Sequence, residues 1–373
     1  MKEVQVLFIS NSKYIDSNAA EGGVKLCTQE YIDLIATSFK VLLFPVALNK
    51  SFAYRIKKKI GIAVYQDYST GEYLTQLRKV VSENNIDLIF LNLTNTITFS
   101  LLIKKNFPAV KIILCSHGNE SGDFLHEIAL HKKFKGFKKI IAHYALGKML
   151  CLESEYRNNI DIVLTVSEVE EHIEKWIGAE NVKMIARTIP DNKKEHQPVK
   201  GRVGFFGDLS HSPNFFGIEM LCDSLLKVHA NEIELRLVGT DTEIGQLLHK
   251  KYAFVTYLGY LSEGDLEKEI ITWTFALNPV FYYSRGVSTK LGKALSWGLP
   301  VITTLRGMRG YQWQNGELLN CNSPTEMAIL ILKYSKDLKA AAYYRNQIEL
   351  IKATAPGLQQ MMNDVISLLQ KKR

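Results

Sequence analysis

The 373-residue sequence predicts an α/β protein made of two doubly wound, Rossmann-like domains facing a cleft. Three observations lead there. Short β-branched runs alternate with longer amphipathic stretches along almost the whole chain, the pattern of parallel strands joined by helical crossovers. The alternation stops once, at the polar and unpatterned segment 191–201, and then begins again. A chain of 373 residues also exceeds what one hydrophobic core organises, and about 150 residues per domain gives two.

Val4–Ser10 reads as the first strand, followed by a polar loop and a helix from about Gly23 to Ala36. The runs Val41–Phe44, Leu88–Asn92, Lys111–Cys115 and Ile160–Thr165 continue the series. Such continuous apolar runs suit a parallel sheet covered on both faces. They define a first domain over 1–190, with 191–201 as its linker. Strands at Arg202–Phe206, Ile233–Val238, Val255–Leu258, Phe275–Asn278 and Pro300–Thr304, with a helix over Phe215–Val228, define a second domain over 202–355. From Pro324 onward the pattern is almost wholly helical, and the last segment, 356–373, is expected to return to the first domain. Ligands of doubly wound domains bind beyond the carboxyl ends of the strands.

With 46% hydrophobic and 23% charged residues, the composition excludes disordered and collagen-like classes. The longest uncharged stretch, Leu88–Ile103, is broken by Asn92, Thr94, Asn95, Thr96, Thr98 and Ser100, so no membrane-spanning helix is expected. The first ten residues contain Glu3 and no small-residue cleavage site, against an export signal and hence against a periplasmic-type binding protein. Five cysteines without a CxxC pair suit a reducing compartment. A soluble, cytoplasmic protein is the expectation.

The net charge of +8 is uneven: residues 40–139 hold 16 basic and seven acidic side chains. The densest clusters are Arg55–Lys59 and the strip Lys132, Lys133, Lys135, Lys138 and Lys139, where Phe134, Phe137 and Ile141 recur at helical spacing. A basic helix with aromatics opposite suits an anionic membrane surface. The same pattern suits a solvated helix whose apolar face packs on the core. No helix-turn-helix, RRM or zinc pattern accompanies the charge, so nucleic acid is not an expected partner.

Three stretches carry candidate chemistry. Gly22-Gly23 opens the first long helix, where a close backbone approach and helix N-terminal amides favour an anion. Ser116-His117-Gly118-Asn119-Glu120 follows a strand, placing His117 and Glu120 where an acceptor hydroxyl is oriented. The richest is Ser284–Thr303, which opens a helix with small and hydroxyl residues and closes it at Gly298-Leu299-Pro300. There the amides of Gly286, Val287 and Ser288 suit a phosphate, with Arg285 and Lys290 adding charge. No histidine or cysteine spacing suggests a metal site.

This last stretch resembles the donor-site signature of retaining GT-B glycosyltransferases of the glycogen-synthase-like, group 1 superfamily: an acid, a Gly-x-Gly/Ser element, a second acid eight residues on, then G-x-P-V-V/I. The resemblance runs along essentially the whole chain. Gly22-Gly23 falls on the N-terminal glycine loop, His117 near the acceptor-side histidine, and Thr165-Val166-Ser167-Glu168 on the element before the linker. Arg202–Ser212 falls on the strand and loop opening the second domain, and Leu258-Gly259-Tyr260-Leu261 on a turn that contacts the nucleotide base.

The departures lie at the donor site. Aligned through Gly298-Leu299-Pro300, Lys293 stands where relatives hold the ribose with a glutamate, and Arg285 where a glutamate meets the transferred sugar. Asp208 and Asn214, after Gly207, stand where many relatives have an Arg and a Lys on the diphosphate. The expectation is that the cations moved: Arg285 and Lys290 meet the diphosphate instead. The resemblance thus implies retaining, metal-independent transfer from a UDP- or GDP-sugar to a glycan or lipid-linked acceptor, with no cofactor, in surface-polysaccharide synthesis at the inner membrane face. His117, Arg285 and Lys290 would serve catalysis; Gly22, Gly23, Gly207, Asn214, Tyr260, Gly286, Val287, Ser288, Thr289 and Lys293 the donor; and Glu120 the acceptor. The two reversed charges also leave open an inactive, scaffold-type relative.

Overall fold

The computed structural model describes residues 4–18, 22–129, 134–228, 232–283 and 285–370. Lys132 and Lys133 of the basic strip, and Ser284 of the donor-site stretch, lie outside the described residues. The chain divides into two compact units, Met1–Ala186 with Gly357–Arg373, and Arg187–Pro356.

The first unit is a six-stranded parallel sheet. Its strands are β1 Gln5–Asn11, β2 Lys40–Val46, β3 Leu88–Asn92, β4 Lys111–Cys115, β5 Ile162–Thr165 and β6 Val182–Met184, in the order β2-β1-β3-β4-β5-β6. Every residue of β3 is buried, as a strand covered on both faces requires. On one face Leu7, Ile9, Ile89, Leu91, Ile112 and Leu114 form the core. The last helix, Leu358–Gln370, belongs to this unit: it buries Met361, Met362 and Val365, Gln359 reaches Ser38, and Asp364 pairs with Lys183. β6, with Lys183 between Val182 and Met184, does not show as an apolar run in the sequence.

The second unit is also a six-stranded parallel sheet. Its strands are β7 Arg202–Phe206, β8 Glu234–Val238, β9 Val255–Gly259, β10 Phe275–Leu277, β11 Val301–Thr304 and β12 Leu319–Cys321, in the order β12-β11-β10-β7-β8-β9. Counted within the unit, that is the 3-2-1-4-5-6 order of a dinucleotide-binding sheet. Val203, Phe205, Leu235, Leu237 and Phe275 fill one face, and Phe206, Trp273, Ala276, Trp297 and Val301 the other. The helix expected at Phe215–Val228 starts earlier, at Ser212, because Pro213 fits the first helical turn.

The segment expected as a linker is laid against this second unit. Backbone amides of Asn192, Lys194, Gln197 and Val199 donate to the carbonyls of Ser296, Trp297, Ile271 and Thr272. A polar segment without periodicity is bound through its own backbone, which composition does not reveal.

The basic strip also differs from its reading. Its helix, Phe137–Arg157, begins after Phe134, and Ile141 is half-buried. The apolar residues that stand exposed are Phe137, Ile140 and Tyr144, so this stripe does not pack on the core. No helix among the described residues is long and apolar enough to cross a membrane.

Candidate active site

In the second unit the strand order reverses between β7 and β10, so the loops leaving Phe206 and Leu277 part in opposite directions and leave a crevice. The first loop is Gly207–His211. Its backbone lies very close to the loop after β8: a Cβ on Gly239 would sit 1.8 Å from the Gly207 carbonyl oxygen, so only glycine fits there. Gly207 has φ +146° and donates its amide to Val238 O at 2.9 Å.

Asp208 is turned into this loop. Its Oδ1 accepts from Ser210 N (2.9 Å), Ser210 Oγ (2.7 Å) and Thr240 Oγ1 (2.9 Å). Partial burial raises its pKa, and the Ser210 and Thr240 hydrogen bonds outweigh that, holding the carboxyl below its usual range. Asp208 therefore staples the loop from within.

Asn214, in the first turn of the helix Ser212–Lys227, joins the two loops. Its Nδ2 donates to Asp208 O at 2.5 Å, and its Oδ1 accepts from Lys290 Nζ at 2.9 Å. Lys290 comes from the helix Thr289–Ser296, 76 residues along the chain. Its stem passes under Gly207, with Cδ 3.0 Å from where a Cβ would be, and its ammonium lies 5.7 Å from the Phe205 ring centre. Burial of the ammonium lowers its pKa to about 8, with Asp208 opposing that shift.

The helix Thr289–Ser296 begins at the crevice because Ser288 caps it. Ser288 Oγ accepts from Leu291 N at 3.4 Å and donates to Asn278 Oδ1 at 2.8 Å. Asn278, buried at the end of β10, uses its Nδ2 on Thr303 Oγ1. Tyr311 OH donates to Ser288 O at 2.8 Å. Helix start, β10 and β11 are thereby locked together.

Two arginines absent from the sequence reading hold the segment before this cap. Arg306 donates to Phe281 O, and Arg309 Nη2 donates to Gly286 O at 3.2 Å while its guanidinium lies 5.0 Å from the Tyr283 ring centre. A sequence signal existed: residues 270–316 contain five basic side chains and no acid.

The other expected donor residues are less enclosed. Gly286 is buried, and Val287 and Thr289 are half-buried beside the cap. Arg285 is exposed. Lys293 is also exposed, its ammonium 5.1 Å from the Trp297 ring centre. Tyr260, after β9, is 78% exposed.

In the first unit His117 stands beyond β4, next to the reversal between β1 and β3. Its Nε2 is 2.8 Å from Asn92 Oδ1. Asn92 Nδ2 already donates to Ser10 Oγ and Thr28 Oγ1, both at 2.9 Å, so its oxygen faces the ring and His117 carries its proton on Nε2. A neutral His117 then has Nδ1 as its acceptor. Tyr31 donates to Ser116 O at 2.8 Å, and its ring centre lies 5.5 Å from that of His117.

The loop is anchored further by Glu153, a fully buried carboxylate whose pKa burial raises. Ser121 Oγ donates to Glu153 Oε2 at 2.8 Å, and Tyr65 OH donates to Oε1. One helical turn on, buried Arg157 pairs with Glu174 at 2.5 Å. Glu120 begins the helix Glu120–Ala129, and Gly22 caps Gly23–Ala36 in extended backbone, with none of the described residues within 4 Å of an added Cβ.

Residues 200–337 match the family described as glycosyl transferases group 1. Sucrose-phosphate synthase from Thermosynechococcus elongatus has a similar fold, 17% identical, with a TM-score of 0.66 over 98% of both chains. A UDP-forming α,α-trehalose-phosphate synthase from Burkholderia xenovorans is 10% identical, with a TM-score of 0.63 over 99% of both. A mutant of S. aureus TarM, in complex with fondaparinux, α-GlcNAc-glycerol and UDP, is 14% identical, with a TM-score of 0.57 over 82% of this chain and 59% of that one. No curated protein matches the chain in sequence. The fold is therefore that of the GT-B class, two parallel six-stranded units with flanking helices. The match to the group 1 glycosyltransferase family falls on the second unit.

Proposed function

We propose that the protein transfers a sugar from a nucleoside-diphosphate sugar to an acceptor hydroxyl with retention, and that Lys290 holds the leaving diphosphate. The observation that carries this reading is Lys290 Nζ lying 2.9 Å from Asn214 Oδ1 at the crevice of the 3-2-1-4-5-6 sheet. Asn214 occupies the position that the resemblance assigns to a diphosphate-binding lysine, so the amine of Lys290 stands beside the place of the missing one. Asp208, at the position of the missing arginine, is satisfied by its own loop.

In the reaction the bond from the anomeric carbon to the diphosphate oxygen breaks and a bond to the acceptor oxygen forms on the same face. The acceptor proton leaves on the diphosphate. The negative charge that develops there is stabilised by Lys290 and by the amides preceding the helix Thr289–Ser296, groups fixed before the reaction begins. Ser288 sets the direction of those amides through Asn278. His117, held on Asn92 through Nε2, stands on the loop where the resemblance places the acceptor-side histidine and helps to shape that side of the site. Arg285, exposed near the same helix start, adds charge toward the diphosphate.

UDP-sugars are the first donors to test, because UDP is present in the TarM complex. A thermal-shift series with UDP-, GDP- and ADP-sugars should give stabilisation by one nucleotide class, followed by slow hydrolysis of that donor. Stabilisation without hydrolysis or transfer to any acceptor assigns a binding or scaffold role. Absence of stabilisation by every nucleotide refutes the donor-site reading.

A further inference from the structure

We propose that the helices Phe52–Lys59 and Phe137–Arg157 of the first unit together form a docking surface for an anionic lipid bilayer. The inference uses no residue of the donor site and stands independently of the reaction proposed above.

Each helix has two apolar faces where folding requires one. In the shorter helix Tyr54 is the buried residue, and on the longer helix Ala142 and Ala145 are buried near its start. Away from them, Phe52, Ile56 and Ile60 recur every four residues, and Phe137, Ile140 and Tyr144 recur at three and four. All six are exposed: Phe52 by 74%, Phe137 by 73% and Ile140 by 64%. Six exposed apolar side chains grouped on two adjoining helices mark an interaction surface, where residues exposed singly would not.

The two stripes belong to neighbouring elements. A Cβ on Gly61 would lie 3.2 Å from both Ile141 Cγ2 and Ala145 Cβ, and Lys148 Nζ donates to the Ile62 carbonyl. The end of the first helix therefore rests on the first turns of the second.

Within the two stretches that carry the stripes the charge has one sign. Residues 50–62 contain five basic side chains and no acid, and residues 134–148 contain four and no acid. Arg55, Lys57, Lys59, Lys135, Lys138 and Lys139 are exposed, and Lys58 is paired with Asp67. Lysines alone would suit any polyanion. Interleaved with phenylalanine and isoleucine, they suit the boundary between headgroups and acyl chains, where aliphatic stems stay dry and ammonium groups meet phosphate. A second copy of the chain fits poorly, because a two-fold contact would set this cationic surface against itself.

The test is co-sedimentation of the full chain with vesicles of phosphatidylcholine, with and without phosphatidylglycerol, across a salt series. Two double variants are compared, Phe52→Ser with Phe137→Ser and Lys138→Glu with Lys139→Glu. All four side chains are exposed, and circular dichroism and melting confirm that the fold is kept. The protein should bind the anionic vesicles, ignore phosphatidylcholine alone and dissociate as salt rises. Each charge near an anionic surface contributes roughly fivefold in partitioning, so the lysine reversals should weaken binding about twentyfold or more. The serine variants should also release the vesicles, with the charge unchanged. No binding to anionic vesicles overturns the proposal. So does equal binding to both vesicle types, RNA binding without vesicle binding, or self-association that the serine variants abolish.

Discussion

Replacing Lys290 by Met should stabilise the protein while weakening its grip on a nucleotide. The ammonium gives up its proton at about pH 8 instead of 10.5 because burial strips it of water. At about 1.4 kcal/mol per tenfold change in proton affinity, the charged form costs the ligand-free protein about 3 kcal/mol at neutral pH. Met keeps the stem that packs under Gly207 and removes the charge. It also removes the hydrogen bond to Asn214, worth about 1 kcal/mol, so the net gain is about 2 kcal/mol. For a unit of this size that raises Tm by about 4–8 °C, readable by calorimetry at pH 7.

The sign reverses with pH in a defined window. Between pH 8 and 10.5 the unfolded chain still holds a proton that the folded chain has released, so wild-type stability rises with pH and the advantage of Met fades. UDP affinity moves the other way: losing a charge-assisted contact should weaken binding roughly tenfold to a hundredfold. Wild-type affinity should itself decline above pH 8, where Lys290 becomes neutral. Calorimetric titration with UDP, GDP and ADP checks both. A Lys290→Met protein that is less stable, or that binds its nucleotide as tightly as wild type, refutes the reasoning.

Three further substitutions probe the loops and the buried ion pair. Gly239→Ala places a carbon 1.8 Å from the Gly207 carbonyl, so it should cost about 3 kcal/mol and shift the Gly207 loop, read as a lowered Tm with lost nucleotide binding. Glu174→Ala leaves the fully buried Arg157 without its partner and should destabilise the protein by about 3–5 kcal/mol in urea unfolding. His117→Ala should lower kcat/KM about a hundredfold with nucleotide affinity preserved. His117→Gln, which keeps an N–H for Asn92, should retain more activity; equal losses would remove the positioning role.

The sheets were legible because their strands are continuous apolar runs: β3, β4 and β7 begin and end where the sequence placed them. The strands β6 and β12, with Lys183 and Asn320 at their centres, form no continuous apolar run for a pattern to show. Around the candidate site the helix opening after Ser288 was legible, because hydroxyl residues before it and Gly298-Leu299-Pro300 after it are local signals. The site was not legible where partners are remote. Asn92 looks like a polar break in an apolar run, yet it fixes the tautomer of His117, 25 residues away. Glu153 and Tyr65 are separated by 88 residues, and no spacing rule joins a tyrosine in a loop to a carboxylate in a distant helix. Asp208 read as an altered ligand position, and its environment makes it a structural staple.

The return of the last helix to the first unit bears on how the chain is made. Synthesis delivers the stretch up to Ala186 well before Leu358–Gln370, the helix that completes the same unit. The uninterrupted unit, Arg187–Pro356, emerges with all of its strands before the earlier one can close. Loss of Leu358–Gln370 would therefore uncover apolar surface of the first unit, far along the chain from the strands that build it.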